Sequence, residues 1–239
     1  MSVADNLRQV LADLPEGVQL VAVSKFHPDE AILEAYGAGQ RIFGESKVQE
    51  MCLKHEALPK DIWWHFIGHL QTNKVKYIAP YVALIHGIDS FRLLAEVDKQ
   101  GAKAGRTIDV LLQIHIAREE TKFGFTPDEC RQLLAGDAWK SLSHVRSRGL
   151  MGMAANTDDA ARVSREFEGL HALFVELRDA FFAGDATFSE LSMGMSHDYP
   201  LAVRAGRTLV RGGTIIFGAL EYGSRCVKPG LGTLRGAFM

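Results

Sequence analysis

Lys25 closes the first apolar stretch of the chain, in VQLVAVSKF. An amine emerging from the end of a buried strand can condense with an aldehyde once its surroundings favour the neutral form. The plain alternative is a solvated boundary lysine, and the strand alone does not choose. A second group of residues lies near the other end of the sequence. SELSMGMS places two hydroxyls, Ser192 and Ser196, on glycine-containing backbone, and LVRGGT places Arg211 before Gly212, Gly213 and Thr214. Exposed N–H groups in such segments make a phosphate cradle, although two glycines can also serve a tight turn and Arg211 could pair with Glu190. His65, in WWHFIGHL, could donate or accept a hydrogen bond or be a satisfied structural histidine. His69, Gln71, Asn73 and Lys74 could supply a polar rim.

Other chemistries lack their residues. The nine histidines form no HExxH or HxH pair and no compact carboxylate cluster accompanies them, so a metal-dependent hydrolase is not supported. GxSxG, GxxxxGK[ST] and a GxGxxG after the first strand are missing, which argues against a serine hydrolase, an ATPase and a dinucleotide oxidoreductase. The three cysteines show no CxxC spacing, which suits a reducing compartment. Lys plus Arg number 27 against 29 Asp plus Glu, so no global field draws the chain to nucleic acid or an anionic membrane. With no signal peptide pattern and no membrane-length apolar run, a cytoplasmic protein is expected.

The elements that must position these residues recur along all 239 residues. An N-terminal helix (Leu7, Val10, Leu11 and Leu14 at helical spacing) precedes a strand from Val18 to Lys25, and Pro28 opens a helix ending at Gly37 or Gly39. Strands are expected around Arg41–Phe43, over Trp63–Gly68, in YVALIHGIDS, over Thr107–Ala117, in HVRSRGLMGMA, in ATFSELSMGMS and in RTLVRGGTIIFG. Each except the last leads into a helix. One of these opens with Thr126 as N-cap and Glu129 three residues on, and another runs from Thr157 to about Phe182. Eight such units in a chain of this length predict one (β/α)8 TIM barrel, with its site at the C-terminal ends of the strands. A doubly wound open sheet, split near residue 105, is the competing architecture. Nine of the 23 glycines, Gly149, Gly194, Gly212 and Gly213 among them, are expected at or near these strand ends, where each could also be an ordinary turn glycine. The segment 223–239 is expected to be a poorly packed tail.

Together, LVAVSKFHP, RIFGES with VQE, WHFIGHLQTNK, QIHIAREETKFGF, RGLMGM, SMGMSHDYPLAVRAG and LVRGGTIIFG resemble the pyridoxal 5'-phosphate homeostasis proteins. That family is related to the N-terminal barrel of alanine racemase, and the resemblance covers roughly residues 7 to 222. It implies pyridoxal 5'-phosphate (PLP) bound covalently as an internal aldimine at Lys25, with the phosphate held by Ser192, Gly213 and Thr214. It places Arg211 beside the pyridine nitrogen, where a cation discourages ring protonation, with Ser46 and His65 among the pocket residues. Two segments depart from the family's pattern. Ser46 and Lys47 stand where Asn-Tyr is usual in FGENYVQE, and Gly212 stands where a β-branched residue is common, which should loosen that strand end. The resemblance implies a monomeric, cytoplasmic buffer that delivers PLP to apo enzymes and has no accepted turnover reaction. The alternatives are a low-activity PLP-dependent racemase or lyase, with Lys25 as base and a water or His65 as counter-acid, and an interaction module whose PLP is only structural.

Overall fold

The computed structural model describes residues 2–117, 123–196 and 198–219, without the side chain of Tyr199. The expected tail at 223–239 and the charged stretch REETK, residues 118–122, lie outside the described residues. Eight parallel strands, β1 (Gln19–Val23), β2 (Ile42–Glu45), β3 (Trp63–Phe66), β4 (Leu84–Ile88), β5 (Ile108–Ile114), β6 (Val145–Gly152), β7 (Glu190–Ser192) and β8 (Leu209–Gly212), close in sequence order into a barrel. The closing seam pairs β8 with β1, Val21 opposite Arg211 and Ala22 opposite Gly212. This is a (β/α)8 barrel, and its closure excludes the doubly wound sheet.

Helices alternate with the strands. They are α1 (Val3–Asp13) ahead of the barrel, then α2 (Asp29–Gly37), α3 (Val48–Ala57), α4 (Val75–Ile78), α5 (Phe91–Ala104), α6 (Pro127–Ala135), α7 (Ala160–Phe181), α8 (Tyr199–Arg204) and α9 (Thr214–Phe217). The capping box at α6 forms as its spacing predicts, with Glu129 N donating to Thr126 Oγ1 at 3.2 Å and Thr126 N donating to Glu129 Oε2 at 2.7 Å. α7 starts at Ala160, three residues later than expected, because the Asp159 side chain accepts from Arg162 N at 3.0 Å and caps it there. The segment TNKVKYI gives only a 3-10 turn and the single turn α4, and the last strand is followed by the one-turn α9.

Side-chain alternation along the strands builds two cores. Val110 and Leu112 of β5 face outward to the large core shared with the helices, while Leu111 faces inward to meet Val21, Leu84, Met151 and Leu209. Below that inner apolar layer, at the N-terminal end of the barrel, Asp109 pairs with Arg146 at 2.7 Å and Arg148 at 2.9 Å. Thr208 Oγ1 donates to Glu190 at 2.6 Å in the same region. Gly149 is required here. The ladder between β5 and β6 shifts register beside it, its φ is +148°, and a Cβ on it would lie 1.8 Å from the Glu190 carbonyl oxygen. The inner apolar layer and this polar floor fill the lower barrel, so the chemistry is confined to the upper end.

Candidate functional site

Lys25 stands two residues beyond the end of β1, exposed, in a turn closed by His27 N donating to the Ser24 carbonyl at 3.1 Å. Phe26, next in the turn, has φ +66° and is the one non-glycine residue with positive φ among the described residues. That position of a turn normally takes glycine, and the left-handed conformation costs a residue with a side chain about 1 kcal/mol or more. Buried groups from the neighbouring strand and helix hold the turn. Lys54 Nζ of α3 donates to the Ser24 carbonyl at 2.8 Å, to Glu45 Oε1 at 2.8 Å and to Glu50 Oε1 at 2.7 Å. Phe26 N donates to Glu50 Oε1 at 2.6 Å, and the Ser24 hydroxyl donates to Glu45 Oε1 at 2.6 Å. Burial pushes the Glu45 carboxyl up, against the pull of Lys54 and the Ser24 hydroxyl.

Across the seam, Arg211 projects into the barrel interior. Its guanidinium donates to Ser192 Oγ at 2.9 Å and to the Gly152 carbonyl at 3.1 Å. Burial lowers it to about 10, with Asp198 pulling the other way, so it remains a cation at neutral pH. Ser192 Oγ lies 3.0 Å from His86 Nδ1, and His86 Nε2 lies 2.9 Å from His65 Nδ1. Both histidines are buried and held neutral. Burial drops His65 to about 3, and burial, followed by the nearby His65 and Arg211, drops His86 well below its ordinary value. Arg211 can only donate, so Ser192 Oγ accepts from it, and the neutral His86 ring bridges Ser192 Oγ and His65 Nδ1 with one N–H and one bare nitrogen.

This geometry separates the two serines of SMGMS. Ser192 is completely buried beneath the mouth, tied to Arg211 and His86. Ser196, past the positive-φ Gly194, is the hydroxyl that meets the Gly-Gly segment: Gly213 N donates to Ser196 Oγ at 3.2 Å. Ser192 Oγ is thus engaged by Arg211 and His86, and the hydroxyl beside Gly213 is that of Ser196. Thr214 is exposed at the start of the one-turn α9, within which Ile216 N and Phe217 N donate to the Gly213 carbonyl at 2.9 Å. Arg211 pairs with Ser192 and Gly152, not with Glu190 as the alternative had it.

Ser46 is half-buried just past β2. Its carbonyl passes so close to Gly68 that a Cβ there would lie 2.3 Å from it, which explains the glycine after β3. The looseness expected from Gly212 is offset by neighbours, because a Cβ on it would meet Ile215 Cδ1 at 2.9 Å and Leu20 Cδ1 at 3.3 Å. On the rim, His69 pairs with Asp89 at 3.1 Å and stacks on Phe123 with ring centroids 3.9 Å apart. The sequence argument missed His86, Ser196 as distinct from Ser192, and the set Glu45, Glu50 and Lys54. For His86 a signal existed, since it lies two residues after the inward Leu84 and so shares its face.

Residues 1–221 match the protein family described as alanine racemase, N-terminal domain. A pyridoxal phosphate homeostasis protein of Aquifex aeolicus is 39% identical over 205 residues, covering 85% of this chain and 88% of its own length. One from Pasteurella multocida is 37% identical over 235 residues, covering 93% and 99%. Among solved structures, PipY of Synechococcus elongatus without PLP superposes with TM-score 0.85 at 38% identity, covering 91% of this chain and all of PipY. The PLP-bound form of PipY gives 0.82. Alanine racemase of Clostridium difficile shares the fold at 12% identity, TM-score 0.71, with 93% of this chain against 57% of the racemase. With relatives of this identity spanning nearly the whole length, the chain belongs to the pyridoxal phosphate homeostasis protein family, built on the alanine racemase N-terminal barrel.

Proposed function

We propose that this protein binds PLP at the C-terminal mouth of the barrel and holds it for intracellular vitamin B6 balance. The observation that carries the proposal is the meeting of three chemically different groups at one opening. Lys25 brings a primary amine, Arg211 a buried cation, and Ser196 with Gly213 and Thr214 a hydroxyl and backbone donors. The register supports it: Arg211 lies opposite Val21, Gly213 packs against Val23, and Lys25 follows two residues later. An aldehyde, a pyridine ring and a phosphate ask for this set. Lys25 Nζ would join the cofactor's aldehyde carbon through a carbon–nitrogen double bond, with water leaving. Arg211, fixed by Ser192 and Gly152, would keep the ring nitrogen unprotonated and so weaken the electron-withdrawing power on which most PLP chemistry depends. Ser46 and His65 would complete the walls.

The relatives' names and the PLP-bound form of PipY support the cofactor assignment. A binding role is favoured over a racemase or lyase by the state of His65. Its Nδ1 is already hydrogen-bonded to His86 Nε2 at 2.9 Å and burial opposes a charge on the ring, which disfavours it as the acid opposite Lys25. We further propose a cytoplasmic monomer that passes PLP to apo enzymes. No helix among the described residues is long and apolar enough to cross a membrane. Incubation with PLP, borohydride reduction and peptide mapping test the central claim. A reduced adduct on the peptide containing Lys25 is expected, and its absence from the parent protein would overturn the proposal. α-Proton exchange in D2O across a panel of amino acids, expected at the level of free PLP, tests the binding role.

A further inference from the structure

Lys54, Glu50 and Glu45 have no part in the contacts assigned above to PLP, yet they are the most heavily connected buried charges near the mouth. Lys54 and Glu45 are almost wholly buried, their charged atoms 2.8 Å apart. Burying such a pair is costly and gives little net stability unless every proton and lone pair is used. Lys54 Nζ spends its three donors on Ser24 O, Glu45 Oε1 and Glu50 Oε1. One contact from Lys54 and one from Glu50 converge on the residues flanking Lys25. The carbonyl of Ser24 is held by Lys54, and the N–H of Phe26 is held by Glu50. The peptide unit on each side of Lys25 is therefore anchored to α3, and the turn keeps a left-handed Phe26 where a free chain would relax.

We propose that Glu50 and Lys54 are positioning residues for Lys25, clamping the Ser24–Phe26 turn so that the amine is presented above the Arg211 floor. The clamp rests on the reading of Lys25 as the PLP-linking residue but is measurable without it. Glu50 makes the cleaner test, because it is on the accessible side of the set and its loss leaves the Lys54–Glu45 pair intact. In Glu50→Ala, the rate of forming the borohydride-trapped Lys25 adduct with PLP is expected to fall about tenfold, the scale of a lost charge-assisted hydrogen bond at a reacting group. Binding of pyridoxamine 5'-phosphate, which keeps ring and phosphate but lacks the aldehyde, should change less than about twofold, since none of its expected contacts is touched. Glu50→Gln, whose amide oxygen can still accept from Phe26 N, should recover most of the rate.

Amide hydrogen exchange on the PLP-free protein gives the independent readout: Phe26 N–H protected in the parent and in Glu50→Gln, and exposed in Glu50→Ala. An unchanged adduct rate in Glu50→Ala overturns the clamp. So does an equal fall in adduct rate and pyridoxamine 5'-phosphate binding, which would assign these residues to general barrel integrity. If the parent itself forms no Lys25 adduct, the cofactor assignment fails, and protection of Phe26 N–H still decides whether Glu50 holds the turn.

Discussion

Two serines four positions apart in one motif have different partners, and substitution tests whether their roles differ. Ser196→Ala removes the hydroxyl beside Gly213 and should weaken PLP about five- to tenfold, with little effect on pyridoxal, which has no phosphate. Equal losses for the two ligands would remove Ser196 from the phosphate site. Ser192→Ala leaves Arg211 and His86 facing an empty position and should lower stability by about 1–3 kcal/mol, read as a shift in the urea midpoint. Lys25→Ala should abolish the trapped adduct while Arg211 and the Ser196–Gly213 pair retain noncovalent PLP, measured by equilibrium dialysis. At Ser46, restoring the longer Asn of the family pattern should slow PLP release a few-fold, because an amide reaches farther and adds a donor. Release as fast as in the parent would show that Ser46 lies outside the pocket.

The elements that position these side chains were legible in sequence where local chemistry fixes them. Thr126 and Glu129 mark the start of α6, and a continuous apolar run marks β5, whose expected limits of Thr107–Ala117 contract to Ile108–Ile114. The legible part ends where partners come from distant segments. β7 has only three residues, too short to display a period, so nothing local distinguished inward Ser192 from Ser196 in the loop beyond. Lys54 reads as one more solvated charge on an amphipathic helix; only the packing of α3 under the β1 turn turns it inward. The same holds for Gly149, which looked like an ordinary strand-end glycine. Gly149→Ala forces a Cβ into the Glu190 carbonyl at a backbone angle that side chains avoid. It should cost more than about 3 kcal/mol, observed as loss of soluble folded protein or a steep drop in the thermal midpoint. A stability within about 0.5 kcal/mol of the parent would mean that the register shift between β5 and β6 relaxes freely.

For the molecule as a whole, the buried histidine file sets the response to acid. In the unfolded chain His65 and His86 take up protons below about pH 6.5, whereas in the folded barrel His65 stays neutral down to about 3 and His86 well below its ordinary value. The unfolded state thus binds more protons in that window, and stability falls as pH drops through it, by up to about 1.4 kcal/mol per pH unit for each histidine. Glu45, pushed up by burial, opposes this over the carboxylate range, so urea midpoints are best compared between about pH 7 and 5.5. Equal midpoints would show that the file takes up protons without unfolding. The barrel seam carries a different consequence. Lys25 follows the first strand and Arg211 lies on the last, so the two halves of the site meet only when β8 docks on β1. α1 and α9 bridge the same seam, Asn6 Nδ2 donating to the Ile216 carbonyl at 3.0 Å. A growing chain on the ribosome has the amine early but no socket until the final strand arrives. If PLP binds as proposed, its capture is a latch between the first strand and the last, available only once the seam has closed.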